Sequence, residues 1–399
     1  MPAIGLIDFG RLARNAGAYA DIAASAPRLS GVQLQGLRDG AKTQASLVGK
    51  QIAALERGIK SGEVTGAQPA LDALVTAKQA LVDAHLVITS DATKVRSWTL
   101  KPAGYGAIYD ARAAEDSLRL ASRSLADADA ATRDLPGTWR ISREASRYVV
   151  QPGEPGNVEA AVPDIATLPE HLRPLMSFDP ALQERAIGAW GATGGRAVGL
   201  QVTGLEKIPT TGPTIVTSTH SSYLDSPELL GAIIRSGAPT ARIMAAAPVA
   251  AAMGTPARNA GVFATAALVD GKRVLGAEVA QAVLEQRQTL ALFPEGDVFA
   301  LRNGASVEPK PGVAMLASRT GATISPSAMY GLQGRRALAG EVRGTPQLVI
   351  GDPITVRRAP ASASASDVRA QTDEVLEIYA QAHDTLLQQA VARYRGSAT

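Results

Sequence analysis

The segment THSSYLDSP, residues 219–227, sets His220 five positions ahead of Asp225. An imidazole whose Nδ1 is bonded to a carboxylate is held in one tautomer, and its Nε2 is left to take a proton from a hydroxyl. The residue types therefore suit general-base catalysis. On a continuous helix, side chains five apart diverge by about 140°, so the pair can meet only if residues 221–224 reverse the chain. Ser226 suits a helix N-cap and Pro227 the first helical position, which predicts a helix starting just after Asp225. The same pattern also describes a His and an Asp that only cap that helix. A second segment, LFPEGDVF at residues 292–299, puts the carboxylate of Glu295 beside Gly296. A glycine there allows positive φ or close backbone approach, although an ordinary acidic turn reads the same way.

Both segments follow β-prone runs. Thr214 to Thr217, Arg242 to Ala245, Gly261 to Thr265 and Thr289 to Phe293 read as strands, separated by helices over Pro227 to Arg235, Lys272 to Gln286 and Pro311 to Arg319. This alternation predicts an α/β domain with a largely parallel sheet flanked by helices, which places His220 and Glu295 at strand ends, where open α/β sheets do their chemistry. Pro294 would stop the strand before Glu295. Up to about residue 140 the chain instead shows helical stripes (Val48, Ile52, Leu55, Ile59; Leu71, Leu74, Val75, Leu81, Val82; Leu118, Ala121, Leu125) and no convincing strand. An all-α helical-bundle region is expected over 1–150, with breaks near Ser61-Gly62, 101–104 and 135–137. The Pro- and Gly-rich stretch 151–175 reads as a linker, and 176–399 as the α/β domain. Within the latter, APASASAS at 359–366 is a low-complexity hinge, and Val368, Val375, Tyr379 and Leu386 mark a closing amphipathic helix.

The 399 residues exceed one ordinary domain, and 46% hydrophobic with 19% charged content excludes a disordered or fibrous chain. A net charge of +3 is too small to imply a nucleic-acid partner. The chain has no cysteine, which excludes disulfides, thiolate metal sites and a cysteine nucleophile, and fits a reducing compartment. Four scattered histidines give no metal-ligand spacing, so no metal is expected. Of these, His85 lies on an apolar helical stripe, His171 falls in the linker stretch and His383 follows Tyr379 by four on the last helix; none has a chemical partner in the sequence. Residues 1–10 carry Asp8 in their apolar run and no basic leader, so they make a poor secretory signal. The best apolar window, 243–254, is short, Ala-rich and broken by Pro248. The expectation is a soluble chain or one resting on a membrane surface. G-x-S-x-G elbows and Gly-rich nucleotide loops are absent.

THSSYLD and FPEG, in this order and about 70 residues apart, followed by KPGVAMLASRTGATISP at 310–326, resemble the signature blocks of the glycerolipid acyltransferases that act on glycerol-phosphate and lysophosphatidate. The resemblance spans roughly 195–350. It implies that His220 is the general base and Asp225 its partner. It also implies that Glu295 and Gly296 position the acceptor, with Lys310 and Gly312 in the Lys-x-Gly turn, and that an acyl group passes directly from acyl-CoA or acyl carrier protein to a lipid hydroxyl. No cofactor beyond that co-substrate is implied. Two departures matter. The family's phosphate-gripping Arg positions fall here in GVFATAA, residues 261–267, and on Val298, neither of which carries a cation. Arg is the preferred bidentate phosphate ligand, so a phosphate acceptor would need other cations; Lys272, Arg273, Arg302 and Lys310 are candidates, with Lys310 favoured by its place in the turn. The resemblance thus implies phospholipid metabolism at a cytoplasmic, peripheral membrane location. Two alternatives stay open: a thioester hydrolase that uses the same dyad, and a non-catalytic lipid-binding protein on the same fold. The sequence carries no sign of oligomeric state.

Overall fold

A computed structural model describes residues 4–25, 31–94, 111–154, 157, 162–176, 178–238, 241–296, 307–332 and 344–397. The chain divides into two compact units, Met1–Ala145 with Val298–Glu308, and Ser146–Asp297 with Pro309–Thr399.

The first unit is helical: α1 (Phe9–Ser25), α2 (Gly31–Ser61), α3 (Gln68–Lys94) and α4 (Ala111–Thr132). Helix α3 packs on α2 and α4, and α4 packs on α1. The expected stripes largely supply the core, with Val48, Ile52, Leu55, Leu74, Leu81, Leu118, Ala121 and Leu125 buried, while Ile59 and Val75 face solvent. Abundant alanine lets the helices approach closely with few aromatics between them. The helices end at Ser61 and Thr132, near two of the expected breaks; the third, 101–104, lies outside the described residues. A short parallel pair absent from the sequence reading, β1 (Ile4–Leu6) with β2 (Thr138–Arg140), joins the two ends of this region. Three residues per strand are too few to show periodicity. Also in this unit, the buried Arg11 guanidinium meets Glu308 at 2.6 Å, and Asn15 Nδ2 donates to the other oxygen of Glu308 at 3.0 Å.

The second unit is α/β. In chain order it contains α5 (Arg173–Met176), α6 (Pro180–Trp190), α7 (Arg196–Val198), β3 (Gln201–Thr203), β4 (Thr214–Thr217), α8 (Asp225–Arg235), β5 (Ala241–Ala245) and α9 (Ala247–Asn259). There follow β6 (Val262–Ala264), β7 (Ala266–Val269), β8 (Lys272–Leu275), α10 (Gly276–Glu285) and β9 (Thr289–Leu292). It closes with α11 (Gly312–Thr320), β10 (Thr323–Ser325), β11 (Ser327–Tyr330), β12 (Gln347–Ile350), β13 (Ile354–Thr355) and α12 (Ala365–Gly396). The main sheet runs β13-β10-β4-β9-β5-β6. All its pairings are parallel except the edge pair β10 with β13. Strands β4 and β9 are buried along their whole length, as expected for the centre of a sheet covered on both faces. A second sheet, β11-β12-β3, is covered by α12. Among the described residues no helix is long and apolar enough to cross a membrane.

Three local expectations need correction. Lys272–Gln286 is not one helix: Lys272–Leu275 is strand β8, paired antiparallel with β7, and the helix starts at Gly276. The connecting Asp270-Gly271 has φ of 49° and 76°, the two positive values of a tight hairpin turn, and Asp-Gly is a strong signal for that turn. Helix α8 begins at Asp225 itself with Leu224 at the N-cap, so Ser226 does not cap it and Pro227 sits within its first turn. Much of the 151–175 stretch belongs to the second unit, where Leu168, Leu172 and Met176 are buried. The buried Arg242 of β5 donates to the carbonyls of Met176 at 2.9 Å and Leu175 at 2.5 Å. Burial lowers the Arg242 pKa to about 10. At 359–366, Ser364 caps α12 in a reciprocal box with Asp367.

Candidate active site

The parallel pairing of β4 with β9 matches Thr217 to Leu292. The chain therefore leaves both strands at the same end of the sheet, and residues 218–220 and 293–296 become neighbours. Ser218 N–H donates to the Leu292 carbonyl at 3.2 Å, which extends the ladder by one step. Beyond it the two segments separate into loops.

Residues 221–224 make the required reversal. The Asp225 N–H donates to the Ser222 carbonyl at 3.1 Å, and the Leu224 N–H to the Ser222 Oγ at 3.2 Å. The turn brings the fully buried Asp225 back to His220: Oδ2 lies 3.1 Å from His220 Nδ1 and accepts the backbone N–H groups of Ser221 at 2.5 Å and Ser222 at 2.7 Å. Burial pushes the Asp225 carboxyl above the usual range, while the hydrogen bonds from His220, Ser222 and Ser221 pull it back. The bond at Nδ1 leaves Nε2 for a substrate. The His220 ring stacks on Phe293, with centroids 4.1 Å apart and planes 15° apart, so the aromatic residue of FPEG fixes the plane of the imidazole. The His220 side chain keeps 14% of its exposure, and Tyr223 at the tip of the reversal is largely exposed.

Glu295 is buried, and its Oε2 accepts the His220 backbone N–H at 2.8 Å. Gly296 has φ of 79° and closes a tight turn through its N–H to the Phe293 carbonyl at 2.9 Å. The Lys310 N–H returns to the Pro294 carbonyl at 2.8 Å, and its side chain crosses Gly296 so closely that a Cβ there would run into Nζ. Lys310 thus reaches the FPEG bend. Gly312 opens α11 with free space where a Cβ would stand, so nothing in the packing requires glycine there. Lys272 and Arg273 lie exposed on β8, in the two-stranded β7-β8 sheet; Val298 and Arg302 lie outside the described residues.

Four residues of this arrangement were not legible as site residues. Phe293 was read only as the end of a strand. The buried Thr219 hydroxyl donates to the Met329 carbonyl at 2.6 Å and accepts the Met329 N–H at 2.8 Å, which ties the His220 loop to β11. His383 of α12, read above as having no chemical partner, is buried with Nε2 3.7 Å from Glu295 Oε1 and Nδ1 3.2 Å from the hydroxyl of Tyr379. The i, i+4 spacing of Tyr379 and His383 was visible, but not the carboxylate they face. Among the described residues, no group of three or more His, Asp or Glu is placed to hold a metal ion.

Residues 199–330 match the acyltransferase family model. The matched segment contains His220, Asp225, Glu295, Gly296, Lys310 and Gly312, as well as Lys272 and Arg273. No curated protein matches the chain in sequence. Among solved structures, the 1-acyl-sn-glycerophosphate (LPA) acyltransferase PlsC from Thermotoga maritima is similar at 20% identity. The match covers 50% of this chain and 80% of that one, with a TM-score of 0.34.

Proposed function

We propose that the α/β unit transfers an acyl group from a thioester, that of coenzyme A or acyl carrier protein, to the hydroxyl of a lysophospholipid, glycerol-phosphate or related lipid acceptor. The observation that carries this reading is the 3.1 Å contact of His220 Nδ1 with Asp225 Oδ2 inside an acyltransferase-family segment. His220 Nε2 takes the acceptor's hydroxyl proton, and the oxygen attacks the thioester carbonyl carbon. The tetrahedral intermediate collapses with cleavage of the C–S bond, and the imidazolium returns its proton to the departing thiolate. Asp225 orients the ring and stabilises the imidazolium. Lys310, crossing the FPEG bend, is the cation we assign to an anionic group of the acceptor in place of the missing arginines. Lys272 and Arg273 would act only on a substrate long enough to reach β8. Lipid substrates imply work at a membrane surface on the cytoplasmic side.

Purified protein given labelled acyl-CoA and a lipid extract tests the reading. Label appearing in a lipid, lost in His220→Ala, supports transfer. Free fatty acid formed at a rate insensitive to acceptor would make the protein a thioester hydrolase, and no turnover with any acceptor or donor would leave a binding protein.

A further inference from the structure

Near the FPEG bend, α12 contributes two fully buried polar side chains, Tyr379 and His383. His383 Nε2 faces Glu295 Oε1 at 3.7 Å, with both side chains 1% exposed, and among the described residues this nitrogen has no hydrogen-bond partner. At 3.7 Å the imidazole nitrogen and the buried carboxylate oxygen are too far apart for a hydrogen bond but within electrostatic reach, and a small shift of either side chain closes the contact. In the tautomer with the proton on Nε2, which faces the carboxylate, Nδ1 accepts from the Tyr379 hydroxyl 3.2 Å away. Burial pushes the Tyr379 hydroxyl well above its ordinary pKa, which keeps it a donor. The other oxygen of Glu295 already holds the backbone N–H of His220.

We propose that His383 is a positioning residue: with Tyr379 behind it, it fixes the Glu295 carboxylate, which in turn fixes the backbone from which the His220 imidazole projects. The proposal rests on the catalytic reading of His220, yet part of it can be measured without turnover. Removing His383 takes away the imidazole that faces Glu295 Oε1. The carboxylate then turns and loosens its grip on the His220 amide. His383 is buried at 1% exposure, so the loss is expected in turnover and not in donor binding.

The test uses the full chain in three forms: wild type, His383→Phe, which keeps the volume without a donor, and His383→Gln, whose amide N–H can take the place of Nε2–H. With 15N-histidine labelling only four backbone amide signals arise, and His220→Ala identifies that of residue 220. The expected result is that His383→Phe moves the His220 amide signal and speeds its hydrogen exchange, while His383→Gln restores both. In acyl-transfer assays His383→Phe should lower kcat by roughly ten- to a hundredfold, the range for losing one hydrogen bond to a charged group. KM for the acyl donor should change less than about threefold, and His383→Gln should recover most of the rate. If His383→Phe fails to fold, Tyr379→Phe gives the same amide readout with a smaller shift. An unmoved His220 amide in the folded variants overturns the inference whatever the activity does, as does a kcat loss that His383→Gln fails to rescue. A moved amide in a protein that transfers no acyl group leaves the coupling standing and sinks the function proposed above.

Discussion

Oδ2 of Asp225 receives hydrogen bonds from His220, Ser221 and Ser222, whereas among the described residues Oδ1 receives none. One oxygen therefore organises the reversal and the imidazole together, so Asp225→Asn separates charge from shape. Burial raises the Asp225 pKa above its ordinary value of 3.8. Between the ordinary and the raised value the folded chain binds this proton and the unfolded chain does not, so the contribution of Asp225 to stability falls as pH rises across that window. Asp225→Asn cannot ionise and lacks the fall. The melting midpoint of the variant minus that of the wild type should therefore climb as pH rises from the ordinary carboxylate value towards neutrality, other carboxyls cancelling in the difference; a flat difference would show that burial does not govern this group. His220→Ala, which removes the base itself, should lower kcat by about 10² to 10⁴ with little change in melting midpoint. A loss below tenfold in a labelled-acyl assay would take the base role away from His220.

At the scale of elements, the end of β4 is held in place by hydroxyl groups. Thr219 Oγ1 both donates to and accepts from the Met329 backbone, and the Ser327 hydroxyl of β11 donates to the Thr217 carbonyl at 2.6 Å. These bonds join the main sheet to the second one just where the His220 loop departs. Thr219→Val keeps the shape and leaves a buried N–H and a buried C=O unpaired, at about 1–3 kcal/mol for each group left unmet. Denaturant unfolding should show a loss of that order. Ser327→Ala, which strands a single carbonyl, should lose less, and equal losses would assign the effect to general packing. This level also shows what a sequence can reveal. The His220–Asp225 pairing was legible because the two residues lie within one reversal of the chain. The largely parallel character of the sheet was legible because alternating strands and helices demand parallel crossovers, whereas the strand order was not. The Glu295–His220 amide bond spans 75 positions, and His383 reaches Glu295 from the last helix, so only the register of the folded sheet brings them together. Strand β8 was lost to a helical reading because Val274 and Leu275 run straight into the apolar positions of α10, although Asp270-Gly271 already marked the turn.

At the scale of the whole molecule the described residues form a helical unit with a core of packed helices and an α/β unit whose buried residues cluster around the parallel sheet and, separately, between α12 and the second sheet. Chains built this way commonly depart from a single all-or-none unfolding transition, so two heat-absorption steps are expected in calorimetry. The helical unit depends on a residue far along the sequence: Glu308 answers the buried guanidinium of Arg11 and the amide of Asn15. The helical-bundle region expected over 1–150 does not include Glu308, because nothing local to that residue identifies its partners. A buried ion pair adds little over a well-packed apolar replacement, but removing one of its partners is costly, at about 3–5 kcal/mol. Glu308→Ala should therefore lower the helical step while leaving the α/β step near its wild-type midpoint. Far-ultraviolet circular dichroism would show the early step as a loss of helix. The paired change of Arg11→Met with Glu308→Leu, which removes both charges and keeps the volume, should recover most of the loss. If Glu308→Ala instead moves both steps together by the same amount, the two units unfold as one cooperative body.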